Sequence, residues 1–235
     1  MADDIGTGTA CTWKDHKLIL TAEHVIGEAE PKDLAFFLRV DDAINWEGSG
    51  SPGKVIARVS LPIEKIVRCV EHDLAAIVLR NKDLTSSSMQ FCELPKHLSK
   101  RRTLKRKGSL ILLGYPKDRI FNVSKTKIAN AEAHFNAARP TILKATIAKA
   151  PTSSLLSYRY RPKRDILLHY TPDDPKMEPY GFSGAAVWRD SAEHTVPLWS
   201  AEPTIFGVQT NAFMTSKLLL VVGGPTIKKF LEESL

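Results

Sequence analysis

The chain has 235 residues, with 33 Lys or Arg against 26 Asp or Glu, which gives a formal net charge of +7. Hydrophobic residues make up 43% and charged residues 25% of the sequence, which excludes a mainly disordered, collagen-like or coiled-coil chain. No apolar run reaches the ~18 residues that a membrane-spanning helix needs, so the sequence predicts no bilayer span.

Many short apolar runs, separated by polar or Gly/Pro-rich turns, predict strands in preference to helices. In chain order the predicted strands are Lys17–Leu20, Leu34–Val40, Val55–Leu61, Leu74–Leu79, Leu110–Leu113, Thr141–Ile147, Ile166–Tyr170, Gly184–Trp188, Thr204–Thr210 and Leu218–Val222. After Pro225, apolar residues from Ile227 to Leu235 recur at helical spacing and predict a C-terminal helix. The sequence therefore predicts an all-β body closed by one helix.

The excess positive charge is concentrated in one short segment. Seven bases and no acid lie from Lys96 to Lys107, which leaves 26 bases against 26 acids elsewhere. Such a run can contact nucleic acid, an anionic membrane or an acidic protein, but it has no aromatic residue to stack on bases. We favour a solvated connector, 93–107, between two β subdomains at 1–92 and 108–235, and the second basic cluster at Arg159–Arg164 changes this little.

Cysteine content and the acidic amino terminus bear on the cellular setting. Cys11, Cys69 and Cys92 are too few for a disulfide framework. The first six residues lack the apolar segment of a signal peptide, so a reducing, cytoplasmic setting is expected. No cofactor is expected, because the His and Cys spacings do not repeat as metal ligands do, and Gly48–Lys54 lacks the Ser or Thr and the helix of a phosphate-binding loop.

Three short motifs each place a reactive side chain in a restrained setting. His24 follows an apolar strand, Asp73 precedes the apolar run Leu74–Leu79, and Ser183 lies in a Gly-flanked turn. An imidazole can take the proton of a hydroxyl near neutral pH, and a carboxylate fixes the tautomer of that imidazole. Flanking glycines allow successive N–H groups to converge on an oxyanion. His72 is expected to point to the opposite face of the strand from Asp73.

The motifs resemble those of the chymotrypsin/trypsin-like serine peptidases, which carry His, Asp and Ser in the same order. The matching stretches are Thr21-Ala-Glu-His24, Asp73-Leu-Ala, Gly181-Phe-Ser183-Gly184, Gly6-Thr-Gly8, Leu113-Gly-Tyr-Pro116 and Ile205-Phe-Gly207-Val208. The resemblance implies a double β-barrel, each barrel six-stranded and antiparallel, with the active site in the cleft between the barrels.

The same resemblance implies a serine endopeptidase that hydrolyses peptide bonds through an acyl-enzyme. Ser183 would be the nucleophile, His24 the general base and acid, and Asp73 the orienting carboxylate. The backbone N–H groups of Gly181 and Ser183 would form the oxyanion hole. Protein or peptide substrates are the implied partners.

Substrate contacts are implied at three further places. The segment Thr210, Asn211 and Ala212 would pair with the substrate backbone by β-addition. Glu178 would accept a basic substrate side chain before the cleaved bond, whereas His169 would favour an acidic one. The sequence leaves these two alternatives open.

The chain departs from the family pattern after the serine, where Ser-Gly-Gly-Pro is replaced by Ser183-Gly184-Ala185-Ala186. It also lacks the amino-terminal Ile-Val-Gly-Gly of zymogen-activated members and cysteines bracketing the histidine, and no PDZ-like segment follows. The resemblance is therefore closer to intracellular or bacterial-type members. Two alternatives stay open: a peptidase-like domain that binds peptides or a protein partner without cleaving, and a peptidase active only with a partner.

Overall fold

The computed structural model describes residues 6–34, 36–39, 55–84, 89–100, 109–116, 120–128, 131–138, 141–149, 160–172, 177–189 and 204–235. In chain order the strands are β1 (Thr9–Trp13), β2 (His16–Thr21), β3 (Phe36–Arg39), β4 (Val55–Val59), β5 (Ile63–Cys69), β6 (Leu74–Leu79), β7 (Cys92–Glu93), β8 (Leu110–Gly114), β9 (Ile120–Ile128), β10 (Ala131–Ala138), β11 (Thr141–Ile147), β12 (Asp165–Thr171), β13 (Ala186–Arg189), β14 (Ile205–Phe213) and β15 (Leu218–Gly223). The α-helices are α1 (Glu23–Ile26), α2 (Leu94–His97) and α3 (Gly224–Ser234), and one-turn 3-10 helices cover Pro31–Asp33, Val70–His72 and Asn81–Asp83.

The carboxyl-terminal strands close into a six-stranded barrel in the order β11-β12-β15-β14-β13-β8, and every pair in it is antiparallel. The amino-terminal strands form a five-stranded sheet in the order β5-β6-β2-β1-β7. All six residues of β6 are buried, as its unbroken apolar run predicts for a strand covered on both faces. The predicted all-β class, a six-stranded antiparallel barrel in the second half and the C-terminal helix are confirmed. In the amino-terminal half the described strands form sheets of five and four strands, where a second six-stranded barrel was predicted.

A second sheet of four strands, in the order β3-β4-β10-β9, joins two parts of the sequence. The hairpin β9–β10 follows the basic segment along the chain, yet it pairs with β4 from the first half. The amino-terminal half therefore draws on strands from both sides of the predicted connector.

The first residues of the predicted connector, 93–99, are packed against the rest of the fold. Strand β7 pairs in parallel with β1, and Leu94 at the start of α2 is fully buried. Leu98 forms a bridge to Ile205 of β14, and the Ser99 N–H donates to the Ile205 carbonyl at 2.8 Å. Positions 101–107, which carry most of the predicted basic segment, lie outside the described residues.

One apolar core joins the five-stranded sheet to the barrel and to α3. It contains residues of β1, β2 and β6 together with residues of β13, β14 and β15 and the inner face of the helix, namely Ile227, Phe230 and Leu231. A separate core fills the barrel and includes Phe182, next to the predicted nucleophile. Burial of these shared surfaces fixes the end of β2 against the barrel, which sets the location of the candidate site.

Candidate active site

His24 lies on the one-turn helix α1, directly after β2. Ala22 is extended with ψ of 144°, and the helix ends at Gly27, whose φ of +53° is a conformation that suits glycine. This short turn carries the imidazole out of the sheet, and the His24 side chain is 48% exposed.

Asp73 lies at the mouth of β6, where a 3-10 turn meets the strand. Its φ of 51° and ψ of 46° place it in the left-handed region, which aspartate tolerates better than most residues. The Asp73 N–H donates to the Val70 carbonyl at 3.2 Å, and the Glu23 N–H donates to the Asp73 carbonyl at 3.2 Å. Because β6 pairs with β2, this turn lies beside the helix that carries His24.

The Asp73 carboxylate holds His24 through three contacts. The imidazole Nδ1 lies 3.0 Å from Oδ1 and 2.9 Å from Oδ2, and the backbone N–H of His24 donates to Oδ1 at 3.0 Å. An ionised carboxylate can only accept hydrogen bonds, so Nδ1 carries the proton in this pair. The neutral imidazole therefore keeps its lone pair on Nε2, the nitrogen that a general base uses.

Ser183 lies in a tight turn between two glycines with positive φ, +93° at Gly181 and +91° at Gly184. The Phe182 N–H donates to the Pro179 carbonyl at 3.2 Å, and the Ala185 N–H donates to the Phe182 carbonyl at 2.8 Å. The Phe182 ring is fully buried in the barrel and anchors the turn, while Ser183 itself is half-buried.

The carbonyl groups of this turn are held by the segment before β1. The Thr7 N–H donates to the Ser183 carbonyl at 2.8 Å, and the Thr7 hydroxyl donates to the Gly181 carbonyl at 2.6 Å. The Thr21 hydroxyl donates in turn to the Thr7 carbonyl at 2.8 Å. Among the described residues, the N–H groups of Gly181 and Ser183 donate to no backbone carbonyl. An oxyanion hole requires N–H groups without such a backbone acceptor, and within the described chain these two groups meet that condition.

Gly6 links the serine turn to the histidine helix. A methyl group built on Gly6 would overlap the side chain of Val25, which follows His24, and would lie 3.0 Å from the Ser183 carbonyl oxygen. The absence of a side chain at Gly6 therefore lets the two motifs approach each other. The histidine and serine motifs therefore meet at this segment, and Asp73 joins them through its contact with His24.

The Ala185-Ala186 departure has a structural counterpart. Ala185 is buried in the barrel core, and the Ala186 N–H donates to the Thr9 hydroxyl at 3.1 Å. Proline, which the resembling family has at this place, could not make that bond because it lacks an N–H. The departure alters packing on the far side of Ser183 and leaves the two candidate oxyanion donors unaffected.

The predicted substrate strand is an edge of the barrel next to the serine turn. The Gly184 N–H donates to the Gln209 carbonyl at 2.8 Å, and the Gln209 N–H donates to the Ala185 carbonyl at 2.9 Å. From Asn211 to Phe213 the strand pairs with β15, and within the described chain no strand pairs with its other side. Asn211 and Ala212 are half-buried, whereas Thr210 is buried at a register shift.

The two predicted specificity residues have different surroundings. Tyr170 points into the barrel, and burial, followed by the charge of Glu178, raises the pKa of Tyr170. Glu178 is itself exposed, so its carboxylate lies at the surface near that ring. His169 is exposed on the outer face of β12, because neighbouring strand residues alternate. Glu178 and His169 are thus both exposed, and the charge of Glu178 acts on the buried Tyr170.

Three polar residues near the site were assigned no role from the sequence. Thr7 and Arg164 act through partners that are 174 and 93 residues away in sequence. Gln209 is fully buried, and its amide nitrogen and oxygen have no hydrogen-bond partner among the described residues. Within the same ranges, no group of three or more His, Cys, Asp or Glu side chains could hold a metal ion. No helix in the described part of the chain is long and apolar enough to cross a bilayer.

Comparison with known proteins gives structural likeness alone. No family model matches the sequence, and no curated protein sequence matches it. The serine endoprotease from Yersinia pestis is similar with a TM-score of 0.49 and 14% identity, covering 97% of this chain and 56% of that chain. Rv3671c protease from M. tuberculosis in its active form gives 0.47 and 12%, covering 97% and 72%. An inactive serine-to-alanine mutant of Rv3671c from M. tuberculosis H37Rv gives 0.45 and 12%, covering 97% and 80%.

Proposed function

We propose that this protein is a serine endopeptidase in which Ser183, His24 and Asp73 form a catalytic triad. The observation that carries the proposal is the contact of both Asp73 carboxylate oxygens with His24 Nδ1, at 3.0 and 2.9 Å. That contact fixes the tautomer that a general base needs. The Gly-flanked turn of Ser183, tied to the strand that leads to His24, supplies the nucleophile.

In the first half of the proposed reaction, His24 Nε2 takes the proton of the Ser183 hydroxyl as its oxygen attacks the scissile carbonyl carbon. The carbonyl oxygen becomes an oxyanion and accepts hydrogen bonds from the N–H groups of Gly181 and Ser183. Asp73 stays ionised and stabilises the imidazolium. The intermediate then expels the amine, which receives the proton from Nε2, and the acyl group remains on Ser183.

In the second half, water replaces the departed amine. His24 Nε2 takes a proton from that water as its oxygen attacks the acyl carbon, and the same two N–H groups hold the second oxyanion. Collapse of this intermediate breaks the ester bond, and the proton returns to the Ser183 oxygen. The carboxylic acid product leaves, and the enzyme is regenerated.

We further propose that the substrate lies as an extended strand along Thr210, Asn211 and Ala212. A strand edge supplies main-chain hydrogen bonds without regard to side chains, which suits an endopeptidase. Glu178, which is exposed and whose charge acts on the buried Tyr170, would favour a basic side chain before the cleaved bond. The three free cysteines agree with the proposed reducing, cytoplasmic setting.

The test compares turnover of a casein substrate by the wild type with turnover by Ser183→Ala. Removing the nucleophile should lower kcat by roughly a million-fold, the scale on which triad removal acts in other serine peptidases. His24→Ala should lower it to a similar extent, because the two groups act as a unit. Equal turnover by wild type and Ser183→Ala would refute the proposal.

A peptide-binding domain without cleavage is the second candidate function, and the replacement of the family's Gly-Pro by Ala185-Ala186 is the feature that favours it. This alternative predicts that wild type and Ser183→Ala bind peptides with equal affinity and that neither cleaves them. Release of new amino termini by the wild type alone would exclude it.

A further inference from the structure

Arg164 lies immediately before β12, and a buried acid fixes its guanidinium. Nε and Nη2 donate to the two carboxylate oxygens of Asp165 at 2.5 and 2.8 Å. The Asp165 side chain is fully buried, and its Oδ2 also accepts from the Arg161 N–H at 2.8 Å. A bidentate pair with a buried carboxylate leaves the guanidinium little freedom to reorient.

The third nitrogen of the same guanidinium reaches the five-stranded sheet. Nη1 donates to the Glu71 carbonyl at 2.6 Å, across 93 residues of sequence. Glu71 is the central residue of the 3-10 turn Val70–His72, and Asp73 is the residue that ends this turn. Arg164 therefore links the barrel directly to the turn that presents Asp73.

The electrostatics agree with this placement. The hydrogen bond with Asp165 is the largest influence that raises the pKa of Arg164, and the charges of Glu71 and Asp73 raise it further. The guanidinium therefore lies within the field of the carboxylate that holds His24.

We propose that Arg164 is a positioning residue for the triad, and that it acts by fixing the turn that aligns Asp73 with His24. This inference rests on the proposed peptidase function. Asp73 is held in the left-handed region at φ 51°, where its placement depends on the turn before it. A shift of that turn would move the carboxylate away from His24 while the substrate edge on β14 stays in place.

The variants must separate an effect on the alignment of Asp73 with His24 from an effect on the stability of the fold. Arg164→Ala would leave the buried Asp165 carboxylate unpaired, which destabilises a fold strongly. The double variant Arg164→Met/Asp165→Asn removes both charges and leaves the Glu71 carbonyl without its donor. Arg164→Lys keeps the positive charge but lacks the planar fork that reaches both partners at once.

The matched control is Arg80→Met at the opposite end of β6. Arg80 donates from Nη2 to the Ile63 carbonyl at 3.2 Å, so it too is an arginine bonded to a main-chain carbonyl of the same sheet. It follows β6, whereas Asp73 precedes that strand. This control measures the effect of losing such a bond where no triad residue depends on it.

Two readouts are needed, which are steady-state kinetics and the low-field proton NMR signal of His24 Nδ1–H. The signal is assigned by its loss in Asp73→Asn. In Arg164→Met/Asp165→Asn and in Arg164→Lys, we expect kcat to fall about 10- to 100-fold, the scale of a small misplacement of a catalytic group. KM should stay close to the wild-type value, and the signal should shift or broaden. Arg80→Met should keep both wild-type kcat and the wild-type signal.

The results distinguish this inference from the function on which it rests. Wild-type kcat and an unchanged His24 signal in both Arg164 variants would overturn the positioning role while leaving the peptidase proposal intact. A rise in KM at constant kcat would also overturn it. If the wild type itself shows no turnover, the peptidase proposal fails, and the NMR signal still decides whether Arg164 aligns Asp73 with His24.

Discussion

Replacing Gly184 by alanine should cost far more stability than replacing Gly27 by alanine, although both glycines have positive φ. A methyl group on Gly184 would overlap the Thr7 carbonyl oxygen and the Thr21 hydroxyl and would lie 3.1 Å from the Thr21 Cβ. At Gly27 nothing lies within 4 Å of the same position. The pair therefore separates crowding at the serine turn from the general cost of a left-handed backbone.

The expected magnitudes follow from these surroundings. Gly27→Ala should cost about 1 kcal/mol, because left-handed strain of roughly 1–2 kcal/mol is partly offset by the lower entropy of the unfolded chain. Gly184→Ala adds overpacking of roughly 1–3 kcal/mol and endangers the Thr21–Thr7 hydrogen bond, worth about 1 kcal/mol. The total at Gly184, about 3–5 kcal/mol, is a large share of the stability of a typical domain.

Urea unfolding followed by tryptophan fluorescence measures the free energy of unfolding of both variants. Thermal unfolding should show midpoints lowered by about 6–20 °C for Gly184→Ala and by about 2–4 °C for Gly27→Ala, on the scale of about 2–4 °C per kcal/mol for a chain of this size. Equal losses in the two variants would refute the argument that the serine turn is packed directly against Thr7 and Thr21.

Three further predictions concern single contacts. Asp73→Asn should lower kcat by about 10⁴-fold with little loss of stability, because the amide can present its N–H to His24 and favour the wrong tautomer. Steady-state kinetics measure the fall in kcat, and thermal unfolding followed by circular dichroism measures the stability. Thr9→Val leaves the Ala186 N–H without its acceptor and should lower the free energy of unfolding by about 1–3 kcal/mol, which chemical denaturation measures. An unchanged free energy of unfolding would contradict a stabilising role for this hydrogen bond. Burial raises the pKa of the Cys11 thiol, so little thiolate forms at pH 8, and iodoacetamide should modify Cys11 only after unfolding. Mass spectrometry of the treated native protein measures this, and modification of Cys11 in the folded state would contradict it.

Apolar runs in the sequence predicted several strands, including β11, which has a solvated face, but other strands were not predicted. The run Leu74–Leu79 was predicted with the bounds that β6 has, because burial on both faces excludes polar residues. Strand β5 escaped prediction because Glu64, Lys65 and Arg68 interrupt its apolar residues. The hairpin β9–β10 is polar in sequence, and its pairing with β4 is a long-range choice that no local pattern encodes.

The candidate site also has features that could be predicted from the sequence and features that could not. His24, Asp73 and Ser183 were predicted as a triad from short motifs, each of which combines a reactive residue with a local backbone requirement, and the contact between His24 and Asp73 agrees with that prediction. The contacts that hold those motifs together depend on tertiary structure. The Thr7 hydroxyl meets a carbonyl 174 residues away, and Arg164 meets one 93 residues away, so neither partner is implied by its neighbours in sequence.

The central claim is that His24, held by Asp73, activates Ser183 as a nucleophile. Reaction with a fluorophosphonate probe, followed by peptide mapping, tests this most directly because the probe reacts with an activated serine and leaves a covalent mark. One modified residue, Ser183, is expected, with labelling lost in Ser183→Ala and strongly slowed in His24→Ala. No labelling of the folded wild type, or equal labelling of wild type and Ser183→Ala, would contradict it.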